Sequence, residues 1–213
     1  MAGVKKHPDR NIPRQQKQKK KQQPLKKVPA FFYSSHTATK PLKVFFEDEA
    51  RFGRINNVSR CWVPKGKRAA AGKQMIREHT YAFSAVCPSE GESYSLISPV
   101  CNTAAINELL RGLSVAYCDE EILLFADSAG WHQSKELQRS TNIHLELLPP
   151  YSPELNAAEH LWDYIREQKG FTNHVFDSMD EWKNHVEEVR RNLHQEKDFI
   201  QSLCSFHWMI YPP

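Results

Sequence analysis

Two rhythms of apolar residues run along this chain, and the change from one to the other predicts its elements. Leu42 to Phe46 (LKVFF) is a short, nearly continuous apolar run that leads into Glu47-Asp48-Glu49, as a buried strand does. Val58 to Val63 and Thr80 to Val86, rich in β-branched and aromatic residues, predict two more strands, with Pro64 to Arg68 (PKGKR) as a basic turn between them. Glu92 to Ile97, after the Gly91 turn, predicts a further strand or an extension of the third. The period then changes. Ile106, Leu109, Leu110 and Leu113 fall at i, i+3, i+4 and i+7, the stripe of an amphipathic helix, with Thr103 as its predicted N-cap. Glu121 to Ala126 (EILLFA) is too short for a helix and suits a strand covered on both faces, ending at Asp127.

Ser134 to Arg139 predicts a short helix and His144 to Leu148 another strand. Pro149-Pro150-Tyr151-Ser152-Pro153 reads as a stiff, extended connector. Beyond it, Ala158, Leu161, Trp162 and Ile165 mark one face of a helix. Ser178-x-x-Glu181 is a capping box that opens a last helix, with Trp182, Val186, Val189 and Leu193 on its stripe. The order of strands and helices predicts an α/β domain, a mixed sheet with helices on its faces.

Charge divides the chain. Residues 1–30 hold ten of the 29 Lys/Arg and one of the 25 acidic residues, a balance of +9, and the remainder carries −5. The first segment contains QQKQKKKQQ and few large apolar side chains, too few to offset the entropy of ordering it. Residues 1–40 are therefore expected to form a basic arm or linker, and residues 41–213 a compact domain. The arm is either a solvated tail or a contact for phosphate backbones. No stretch approaches the roughly 18 apolar residues of a membrane span, and the N-terminus lacks a secretory apolar core, so an intracellular location in cytoplasm or nucleoid (nucleus in a eukaryotic host) is expected. Five scattered cysteines with no Cys-x-x-Cys argue against a zinc ribbon or a redox pair.

The chemistry-bearing residues are acidic. Asp48 and Asp127 each follow an apolar strand, where open α/β sheets bind ligands. If the strands are neighbours, both carboxylates enter one crevice. Glu159, in the first turn of the helix after the connector, is placed to close it. Three carboxylates form a hard oxygen site for Mg²⁺ or Mn²⁺. Taken singly, each acid also fits a solvated strand end, and Asn156 to Glu159 fits an N-cap with a capping-box Glu.

The surrounding residues sharpen this. LPPYSPELNAAEHLW (Leu148 to Trp162) resembles the third catalytic motif of mariner-like insertion-sequence transposases, members of the DDE group with a ribonuclease-H-like fold. FFEDEARFG resembles their first motif and LLFADSAGWH their second, in the family's order, and RCWVPKGKR between them matches as well. The resemblance runs from about Leu42 to Leu193. It implies that Asp48, Asp127 and Glu159 are catalytic and hold two Mg²⁺ or Mn²⁺ ions. It further implies cleavage of transposon ends, strand transfer into target DNA at TA sites, and a homodimer in the active complex. Two positions depart from the pattern: Ser128 where the family has Asn, and Ala157 where it has Pro. The other readings are a decayed or domesticated copy that binds DNA without cutting, and a different ribonuclease-H-like nuclease. Arg51, Arg54, Arg60, Lys65, Lys67 and Arg68 are candidate phosphate contacts or a solvated face. Ser128, His132, Asn156 and His160 are candidates to orient a ligand or a water, and for the histidines the alternative is a structural role.

Overall fold

The computed structural model describes residues 40–56, 58, 62–68, 70–168 and 171–206. Five strands, β1 (Leu42–Ile55), β2 (Met75–Cys87), β3 (Glu92–Ser98), β4 (Glu121–Ala126) and β5 (Ile143–Leu147), form one sheet in the order β3-β2-β1-β4-β5. The β1–β2 and β2–β3 pairs are antiparallel, and β1–β4 and β4–β5 are parallel. Among the described residues, four α-helices follow the first three strands: α1 (Thr103–Ala116), α2 (Ala157–Gln168), α3 (Met179–Gln195) and α4 (Lys197–Cys204). No helix among the described residues is long and apolar enough to cross a membrane.

Strand alternation gives the sheet two apolar faces. On one, Phe45, Phe83, Ile122 and Leu124 pack with Ile106, Leu109 and Leu113 of α1. On the other, Phe46 stacks on Phe125, and Phe52 lies 5.7 Å from Trp162 of α2 and 5.6 Å from Trp182 of α3. Each fully buried side chain of this size contributes about 1.5–3 kcal/mol, so both layers hold the sheet. Gly91 closes the β2–β3 turn at φ 64°, and a side chain there would run into the backbone carbonyl of Lys197.

The predicted α/β class and most predicted elements are present, with instructive differences. β1 does not stop at Phe46 but runs on through the three acids to Ile55. Val58, Trp62 and Val63 lie outside any strand and are exposed, while residues 59–61 fall outside the described ones. β-propensity reports a fit to a half-buried pleated surface, and these side chains meet none. The N-cap of α1 is Asn102, one residue before the predicted Thr103, because its side chain accepts the Ala105 N–H. Ser134 to Arg139 forms turns instead of a helix. The side chain of Asn107 on α1 donates to the Glu136 carbonyl at 3.0 Å and accepts the Gln138 N–H at 2.8 Å, which diverts the backbone groups a helix would need. The capping box at Ser178 is present in a shifted form: Ser178 accepts the Glu181 N–H, and Glu181 accepts the N–H of Asp177. The helix α4 carries only Ile200 and Cys204 as buried residues, a pattern too short to stand out.

Candidate active site

The parallel β1–β4 register pairs Phe46 with Phe125. Continued beyond the last pair, it sets Asp48, mid-strand in β1, alongside Asp127, the first residue after β4. The connector then brings the chain to α2, whose third residue is Glu159. Asn156 fixes this approach. Its side chain, 3% exposed, donates to the Glu47 carbonyl at 2.9 Å and accepts the Ala158 N–H at 3.2 Å, tying the start of α2 to β1 beside Asp48. Asp48, Asp127 and Glu159 line one open crevice of about 620 Å³ together with Ser128, Gln133 and the connector.

The capping-box reading of Glu159 loses its partner. The backbone N–H of Asn156 is taken by the Pro153 carbonyl at 2.9 Å. Glu159 is thus part of the crevice wall with no capping duty toward that group.

The electrostatics are those of acids crowded together. Burial first, and then the charges of Glu159, Glu47, Glu49 and Asp127, push the Asp48 carboxyl up to about 9. Asp127 goes the other way. The hydrogen bond from His132 at 3.0 Å and that from the Ala129 N–H at 2.9 Å hold it below the usual carboxylate range despite partial burial. His132 is 3% exposed and lies between two acids, with Nδ1 on Asp127 and Nε2 2.9 Å from Glu47. Burial opposes its charge, but the contacts with Asp127 and Glu47 outweigh burial and raise it to about 10, so the imidazolium persists at neutral pH. Glu47 is 1% exposed, and its contact with His132 is a pairing of charges rather than a well-aligned hydrogen bond.

Glu47 and Glu49 were missed as site residues in the sequence. They flank Asp48 on a strand, so alternation sends them to the opposite face, toward α1. There the ligand atoms of Glu47, Glu49 and His132 lie within 4.8 Å of one another. Burial and then Glu47 push Glu49 up to about 7. The signal was available: once β1 is read through Asp48, period two separates residues 47 and 49 from 48.

The remaining candidates are spread out. Ser128 lines the crevice and donates to the Leu148 carbonyl at 3.1 Å. His160 is exposed, stacks edge-on at 5.8 Å against Phe206, and is not among the crevice-lining residues. The Arg54 guanidinium is engaged inside the fold, donating to the carbonyls of Phe176 and Asp177 and to the Glu78 carboxylate. Arg51, Lys65, Lys67 and Arg68 are exposed. Arg60 lies outside the described residues.

A mixed five-stranded sheet in this order, with helices on its faces, is a ribonuclease-H-like fold. Residues 43–183 match the model of the DDE superfamily endonucleases, and the chain belongs to that family. It is 38% identical over 129 residues to the uncharacterized protein y4pE/y4sA of Sinorhizobium fredii (strain NBRC 101917 / NGR234), covering 60% of this chain and 95% of that one. Among solved structures it is similar to the Mos1 strand transfer complex, with TM-score 0.54 and 16% identity over 97% of this chain and 67% of that one. It is also similar to the Mos1 mariner paired end complex with Mn, with TM-score 0.56 and 16% identity over 94% and 65%. At this identity the likeness is one of fold. The chain spans about two thirds of the length of these solved chains.

Proposed function

We propose that this endonuclease is the catalytic domain of a DNA transposase, which cleaves transposon ends and joins them to target DNA, at TA sites. The observation that supports this most is the meeting of Asp48, Asp127 and Glu159 in one crevice of a DDE-family fold. Their donor chemistry fits Mg²⁺ or Mn²⁺: three hard carboxylates, one of them driven toward protonation by burial and by its acidic neighbours, favour a divalent cation as the balancing charge. In this reading Asp48, Asp127 and Glu159 would together hold two such ions. Bound there, such ions supply water activation and stabilisation of the charge that builds on the phosphate.

The chain's own groups hold these ligands in place. His132 orients Asp127 through Nδ1 and is itself anchored on Glu47. Asn156 positions the first turn of α2, and with it Glu159. Ser128, where the family has Asn, ties the exit of β4 to the residue that follows β5. Ala157 is fully buried at the start of α2, where the helix packs on the sheet side. DNA phosphates are the proposed partners of Arg51, Lys65, Lys67 and Arg68, with Arg54 reserved for the fold. The +9 balance of residues 1–30 supports the same partner, and division into a basic arm and a catalytic domain accounts for it. A homodimer in the active complex is part of the proposal, as Mos1 is described in paired end complexes.

Incubation of the protein with duplexes bearing the DNA that flanks its coding sequence, in Mg²⁺ or Mn²⁺, tests the reading. Nicks that leave a 3′-hydroxyl at the element boundary are expected. Binding without any nick would support the decayed or domesticated alternative.

Glu159→Gln separates chemistry from structure. Since the Asn156 N–H already bonds Pro153, the amide should leave the thermal midpoint unchanged. Cleavage should fall by about a hundredfold or more, as expected on removing a group that acts in concert with others. Near-normal cleavage would remove Glu159 from the catalytic set.

A further inference from the structure

The connector displays an aromatic ring under unusual constraint. Tyr151 is 96% exposed and has φ 56°, a left-handed backbone conformation that bulky residues rarely adopt. The loop that carries it is pinned at both ends. The Leu148 N–H bonds the Ala126 carbonyl at 2.8 Å, and the Asn156 side chain donates to the Glu47 carbonyl at 2.9 Å. Between them Ser152, 6% exposed, donates from its hydroxyl to the Pro150 carbonyl at 3.2 Å. Glycine would meet the backbone requirement without strain, and a polar residue would suit the exposure better. A tyrosine held here against both preferences is a displayed ring.

Its position gives the ring a use. Tyr151 shares the lining of the crevice with Asp48, Asp127 and Glu159. The acids suit the phosphate of a nucleotide through cations, and the proline-rich connector offers apolar surface to the rest of it. The sugar and base attached to that phosphate lie within one nucleotide of the acids. An exposed ring on a rigid loop stacks on any base, whatever its identity, provided the base has left the duplex stack. We propose that Tyr151 is a stacking platform for an unpaired nucleobase next to the phosphodiester on which the crevice acids act. This rests on the nucleic-acid reading of the site.

The test uses the full chain and hairpin DNAs with single-stranded 3′ overhangs. One set carries 2-aminopurine in the overhang, and a matched set is abasic at the same position. Ca²⁺ serves as the divalent ion, and anisotropy and aminopurine fluorescence are the readouts. The wild-type protein should quench the aminopurine and bind it more tightly than the abasic DNA. Tyr151→Ala should weaken binding of the base-bearing DNA roughly 5- to 100-fold, the range of one lost base–aromatic stack, and release the quenching. The same variant should bind the abasic DNA as the wild type does, and Tyr151→Phe should behave as the wild type on both. Equal affinity of the wild type for both DNAs would overturn the stacking role alone, as would equal losses on both with Tyr151→Ala. If the wild type binds neither DNA, the nucleic-acid reading falls and the platform with it.

Discussion

Asp48→Asn should abolish Mg²⁺- and Mn²⁺-dependent cleavage, by roughly a thousandfold or more, without lowering the thermal midpoint of the protein. The two halves of this expectation have one cause. Asp48 is half-buried, and that burial first, then the charges of Glu159, Glu47, Glu49 and Asp127, push its carboxyl up to about 9. The folded protein therefore gains nothing from the charge at this position, and a neutral carboxamide of the same shape fits the site at least as well. The function proposed for the residue needs that charge, because an amide oxygen is a poor ligand for a hard divalent ion. Loss of cleavage at undiminished stability, measured on the same preparation by gel assay and thermal unfolding, is the expected pairing. A variant that unfolds at a lower temperature would mean that Asp48 serves the fold, and one that still cleaves would take it out of the reaction.

His132→Ala should be strongly destabilising, by about 3–5 kcal/mol, since it strips the partner from a buried charge. Glu47 is 1% exposed and has the imidazole as its ion-pair partner at 2.9 Å. For a domain of this size that loss corresponds to a fall in the thermal midpoint of roughly 10 °C. Glu47→Gln in the same background should recover much of it, because no buried charge is then left without a partner. Cleavage should not recover in the double variant, because Asp127 has still lost the hydrogen bond that aims it. Unfolding curves of the two single variants and the double variant check the cycle. Additive losses would show that Glu47 and His132 do not act as a pair.

The sequence made the scaffold readable where burial and period agree. The apolar run Glu121 to Ala126 suits an inner strand, and it is one, with β1 and β5 on either side. The stripes of α1 and α3 name the buried residues of those helices. Failures came where a contact distant in sequence decided the local outcome. Asn107 redirects the backbone of residues 136–138 and removes an expected helix. The β-prone segment around Trp62 lies beyond the register shift near Gly53 and Ile55, and its described side chains stay in solvent.

For the candidate site, Asp48, Asp127 and Glu159 stood out through the motifs around them and not through their own positions, and their meeting in one crevice follows from the β1–β4 register and the Asn156 link. Glu47 was not legible in the same way. A glutamate in an acidic triplet reads as solvated until the strand is known to continue and α1 to cover that face. Its burial is a property of the tertiary structure, and so is its ion pair with His132, whose other ring nitrogen bonds Asp127.

Divalent ions are proposed to be held by Asp48, Asp127 and Glu159. The cluster of Glu47, Glu49 and His132 on the other face of β1 offers a tighter arrangement of ligand atoms, and it is the natural rival. Anomalous diffraction at the manganese edge, from crystals grown in Mn²⁺, distinguishes the two directly. Peaks are expected in the crevice, in contact with Asp48 and with Asp127 or Glu159, and none beside His132, whose positive charge repels the ion. Manganese bound by Glu47, Glu49 and His132 with the crevice empty would contradict this proposal.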